Sequence, residues 1–73
     1  MSDDVNHLRD GIAQVLIEEA EYQEELAGRD AQAAAGELPL GDKSLAASYA
    51  IHAVICNSTA GRLRFIADRI GEL

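Results

Sequence analysis

Ala47-Ser48-Tyr49-Ala50-Ile51-His52-Ala53-Val54-Ile55-Cys56 decides the fold, because it sits inside a helix predicted from Lys43 onward that is apolar on two sides. One stripe runs Leu45, Tyr49, His52, Cys56, Thr59, Leu63, Ile66, Ile70, Leu73. Its steps alternate between four and three residues, the period of a helix packed along a seam. A second stripe, Ala47, Ile51, Val54, Ser58, Gly61 and Phe65, lies on the opposite side. A helix that is apolar on two sides needs two partners, and the chain offers one other long helix. The second stripe is therefore expected to be buried by another copy of the chain, as a dimer interface.

Upstream, Val5, Leu8, Ile12, Val15, Tyr22 and Leu26 recur at helical spacing, widened by Leu16 and extended by Ala33, and predict a first helix capped by Ser2 or Asp3. Its last part, Gly28 to Ala35, is nearly free of large side chains and is expected to fray. Gly36 is placed to end the helix in the left-handed conformation, and Pro39 follows where a helix cannot continue. Leu38 and Leu40 are expected to fold back over the turn. Asp42 or Ser44 caps the second helix, and the poor helix formers Asn57 to Gly61 mark a close crossing or a kink. The prediction is one all-α domain over residues 1–73: helix 3–35, turn 36–42, helix 43–71. Helices of about 30 residues span ~45 Å, too slender alone for a true interior, so two antiparallel hairpins are expected to pair into a four-helix bundle.

Size and charge narrow the function. Chains of 73 residues bury too little surface for comfortable stability without disulfides, metal or a partner. A single cysteine, Cys56, excludes an internal disulfide and reads as a small buried hydrophobe in a reducing compartment. The formal charge of −7 divides into −9 over residues 1–42 and +2 over residues 43–73. That balance argues against direct nucleic-acid binding, which needs clustered Lys and Arg, and against anionic membranes. The start Ser2-Asp3-Asp4 lacks a basic segment followed by an apolar run, and no apolar run is long enough to span a bilayer, so a cytoplasmic location is expected. One lysine against five arginines, with many alanines, accompanies GC-rich coding and points to a bacterial or phage source.

The densest chemical signal is Glu18-Glu19-Ala20-Glu21-Tyr22-Gln23-Glu24-Glu25. Paired hairpins carrying such carboxylates resemble di-iron bundles, but those need Glu-x-x-His pairs, which this chain lacks. Glu18, Glu21, Glu24 and Glu25 point away from the apolar stripe and form an acidic face. Arg62, Arg64 and Arg69 are expected to lie opposite residues 9–16, leaving those glutamates without partners in their own chain. Ile17, exposed among the acids, suggests contact with another protein. Glu19 falls within the apolar stripe and is expected to make a buried polar contact. His52 and Cys56 share a face, compatible with a metal pair or a Cys-His nucleophile, but two ligands do not make a site, and both are read as core. Residues 47–63 bear a faint likeness to the central helix of HEPN-type bundles. The Arg-x4-6-His motif of that family's ribonuclease activity is absent, and nothing is carried over.

These readings lead to an acidic helical interaction module rather than an enzyme, with no cofactor or bound metal. It would act as a homodimer, in its more specific form an inhibitor or antitoxin-like regulator, offering Ile17, Glu18, Glu21, Glu24 and Glu25 to a basic protein partner. The alternatives are a metal-binding or enzymatic bundle built on Glu19, His52 and Cys56, and a purely structural oligomerisation module.

Overall fold

The computed structural model describes residues 2–37 and 39–73, without the side chain of Ser2. Two helices, α1 (Ser2–Gly36) and α2 (Lys43–Gly71), pack against each other as an antiparallel hairpin. The all-helical hairpin expected from the sequence is therefore the architecture. It is a rod of 60 × 13 × 10 Å with a radius of gyration of 17.0 Å, where a compact chain of this length would have ~11 Å.

The seam between the helices differs from the predicted one. Alanine recurs every seventh residue on both helices, as Ala13, Ala20, Ala27, Ala34 on α1 and Ala46, Ala53, Ala60, Ala67 on α2. Every one of these eight is buried or half-buried. Between them sit Leu16, Gln23 and Asp30 on one helix and Tyr49, Cys56, Leu63 and Ile70 on the other, all buried or half-buried. Among the described residues the buried ones are Ala20, Ala27, Ala53, Cys56, Ala60 and Ala67, and no large side chain is completely covered. Methyl groups let the two backbones approach closely, and the gain comes from dispersion contact along their length. Large residues at those rows would hold the axes apart.

Consequently the predicted α1 stripe faces outward. Val5, Leu8, Ile12, Val15 and Tyr22 are 43–65% exposed, and Leu45 and Ile66 of the predicted α2 stripe are also exposed. The α1 stripe thus flanks the contact, whereas the α2 stripe is divided: Tyr49, Cys56, Leu63 and Ile70 line the seam as predicted, and Leu45, His52, Ile66 and Leu73 lie beside it. Ala27 packs with Ala53 and Cys56, with Leu26 against the cluster.

The turn also departs from expectation. Helix α1 begins at Ser2, which places Asp3 inside the first turn with Asp4, where the helix dipole favours acids. The Gly28–Ala35 segment stays helical through Gly36, because Ala27 and Ala34 continue the seam. The left-handed residue is Gly41, at φ 76°, not Gly36. Glu37 closes the helix end, its N–H donating to Ala33 O and Ala34 O, and its carbonyl accepts from Leu40 N and Gly41 N. Leu40 is exposed rather than folded back, and the expectation for Leu38 lies outside the described residues. Asp42 caps α2, its Oδ1 accepting from Leu45 N at 3.0 Å. Asn57 to Gly61 lie in continuous helix. Thr59 Oγ1 donates back to Ile55 O, and within this segment Ala60 meets α1 while Ser58 and Gly61 face away. Among the described residues no helix is long and apolar enough to cross a membrane.

Candidate functional site

The seam brings together three side chains able to act as ligands. Asp30 occupies a seam position on α1, and His52 and Cys56 lie one turn apart on α2. His52 Nδ1 donates to Asp30 Oδ2, and Cys56 Sγ lies 3.9 Å from each ring nitrogen of His52. One ligand atom from each residue falls within 4.8 Å of the others. Cys56 is buried, as the sequence indicates, whereas His52 is exposed rather than core, with 58% of its side chain accessible against 19% for Asp30. Equal distances to both ring nitrogens place the sulfur beside the ring and not in line with either nitrogen. This is poor geometry for an imidazole to take a thiol proton.

Glu19, expected to make a buried polar contact and grouped with His52 and Cys56 only in the alternative metal or enzymatic reading, is elsewhere. It lies on the surface and accepts from Gln23 Nε2 at 3.1 Å. Asp30 takes its place for two reasons. The hairpin register shifts by about one turn from the predicted pairing, and the stretch holding Asp30 is packed rather than frayed. The signal that could have found Asp30 is the alanine heptad, which puts residue 30 on the seam between Ala27 and Ala34.

On the other flank lies the acidic face. Glu18, Glu21, Glu24 and Glu25 are exposed and Ile17 is half-buried rather than exposed. The glutamates are not left without partners. Arg64 Nη2 donates to Glu24 Oε1 at 2.6 Å and Arg64 Nε to Oε2 at 3.2 Å, a two-pronged pair joining the helices. Arg29 donates to Glu25 and Gln14 to Glu18. The hydrogen bonds from Arg64 hold the Glu24 carboxyl below its ordinary range, and Glu24 in turn raises the Arg64 guanidinium.

The remaining surface is dominated by apolar side chains. With antiparallel helices in heptad register, Val5, Ile12 and Leu26 adjoin the seam on the flank opposite Glu24 and Arg64, with Leu8, Val15 and Tyr22 beyond them. From α2 the same flank carries Leu45, His52, Ile55, Ile66 and Leu73. Val5, Leu8, Ile12, Ile70 and Leu73 line one groove at the end of the rod, which shows the two helices contributing to one face. The ridge predicted as a dimer interface is separate. Ala47, Ile51, Val54, Ser58, Gly61 and Phe65 are all exposed on the outer side of α2, with Arg69 stacked over the Phe65 ring at 5.4 Å.

No protein-family model, curated protein or solved structure matches the chain.

Proposed function

We propose that this hairpin is a protein-interaction module that pairs with a second copy to form a four-helix bundle and presents its acidic flank to a basic protein. The observation that carries the reading is the inversion of size across the surface: alanines fill the inside and the large apolar residues lie outside. Contiguous exposed apolar patches beyond a few hundred Å² are uncommon on soluble monomers and mark interaction surfaces. Stacking two hairpins through the broad face of Val5, Leu8, Ile12, Val15, Tyr22, Leu26 and Ile55, Ile66, Leu73 would give the bundle the interior that one hairpin lacks. The ridge of Ile51, Val54 and Phe65 is the narrower competitor, drawing on a single helix.

Substitution separates the two faces. Val15 is 64% exposed, so completing its burial in both copies is worth about 2–4 kcal/mol, or roughly 30- to 1000-fold in the dimer dissociation constant. Val15→Glu is expected to weaken the dimer by at least that much and Val54→Glu far less. The reverse order moves the interface to the α2 ridge, and indifference to both removes the self-association reading.

The acidic flank supports the second half of the proposal. Ile17, Glu18, Glu21, Glu24 and Glu25 run along a stiff rod, and electrostatic complementarity with a basic protein would speed encounter and make binding salt-sensitive. An inhibitor or antitoxin-like role fits such a surface, which could cover a nucleic-acid groove on its target. Since Arg64 pairs with Glu24 and Arg29 with Glu25, charge reversal at Glu18 and Glu21 is the cleaner variant. It is expected to abolish salt-sensitive binding of a basic partner, and unchanged binding would refute this part.

A further inference from the structure

We propose that Asp30, His52 and Cys56 form a binding site for a zinc-like divalent cation that clamps α1 to α2. A thiolate, an imidazole and a carboxylate make the borderline donor set that zinc favours, in a three-ligand arrangement that leaves one position for water. The residues converge from both helices. His52 and Cys56 are one turn apart on α2, and Asp30 reaches them from α1, with the three ligand atoms inside 4.8 Å.

The distances suit an ion. With zinc about 2.0–2.1 Å from nitrogen and about 2.3 Å from sulfur, the 3.9 Å between Cys56 Sγ and either ring nitrogen of His52 is within the ~4.4 Å that one ion can bridge, and the exposed imidazole would rotate to aim a nitrogen lone pair at it. The carboxylate that now accepts from His52 Nδ1 would turn to the ion. Each side of the site has a distinct role. Ala27 and Ala53 pack with Cys56 and Leu26 closes over them, a dry wall that restricts the ligands, while exposed His52 opens the site to solvent and gives the ion an entry path. A His–Asp contact serving only to fix helix register would need no sulfur beside it and would not respond to metal.

Cobalt(II) titration of untagged protein, at concentrations below and above self-association, tests the site without regard to oligomeric state. The expected result is one cobalt per chain, intense visible bands of tetrahedral type and a near-ultraviolet thiolate-to-cobalt charge-transfer band, all displaced by zinc. Cys56→Ala is expected to lose the charge-transfer band. His52→Asn and Asp30→Asn should each weaken binding by roughly 10-fold or more, and zinc should raise the melting midpoint of the wild type but not of Cys56→Ala. Cys56→Ala adds one more alanine to an alanine seam, so helicity by circular dichroism should be retained. If it is not, His52→Asn, at an exposed position, decides the matter. No charge-transfer band at saturating cobalt, or equal affinity in His52→Asn, overturns the site and assigns any binding to surface carboxylates.

Discussion

Replacing Ala60 by leucine should destabilise the hairpin, although leucine is the better hydrophobe and a good helix former. Ala60 is 1% exposed and sits in the alanine row that sets the approach of the two helices, so an isobutyl group there has to push the axes apart. Overpacking of this kind costs about 1–3 kcal/mol. A chain of this size has a total stability of roughly 4–11 kcal/mol, so the loss is a substantial fraction. The melting midpoint should fall by about 4–24 °C, given a shift of roughly 4–8 °C per kcal/mol in domains of this length. Ala35→Leu, at an exposed position of α1, is the control and should change stability by no more than about 0.5 kcal/mol. Thermal unfolding followed by far-ultraviolet circular dichroism reads both. If Ala60→Leu stabilises the protein while Ala35→Leu is neutral, the helices are not held close by alanine and the seam assignment fails.

Removing the α2 cap with Asp42→Ala should cost about 0.5–2 kcal/mol, because Leu45 N–H loses its only side-chain acceptor; an unchanged urea midpoint would show that the cap contributes nothing. Glu24 has a carboxyl lowered in the folded state by its hydrogen bonds from Arg64. Its contribution is therefore fully present above the ordinary carboxylate value of 4.5 and is lost as pH falls through the lower folded value. Acid unfolding below about pH 4.5 should thus be shallower in Glu24→Gln than in the wild type, and identical slopes would exclude the pair as a source of acid sensitivity.

The helices, the place of the turn between them and the Asp42 cap are legible because they depend on local signals: apolar periodicity, breakers and a capping aspartate; the turn's inner geometry, with Gly41 left-handed, is not. Large apolar residues mark the seam on α2, where Tyr49, Cys56, Leu63 and Ile70 line it, but they mislead on α1. Val5, Ile12 and Val15 carry the stronger hydrophobic signal, yet the closest contact of two helices goes to the smallest side chains. Ala13, Ala20, Ala27 and Ala34 against Ala46, Ala53, Ala60 and Ala67 were visible as two seven-residue rows. Those rows rotate α1, set Glu19 outside the seam and bring Asp30 onto it, toward His52. The Glu24–Arg64 pair was harder to foresee, since long side chains on the flank of a seam reach residues well away from those directly opposite.

In the proposed dimer, a hairpin with alanine inside and large apolar residues outside is half of a larger interior. Sedimentation equilibrium of the wild-type protein tests this directly. The expected result is the mass of two chains, shifting toward one in Val15→Glu with helicity preserved. A folded wild type with the mass of a single chain at every concentration would contradict it.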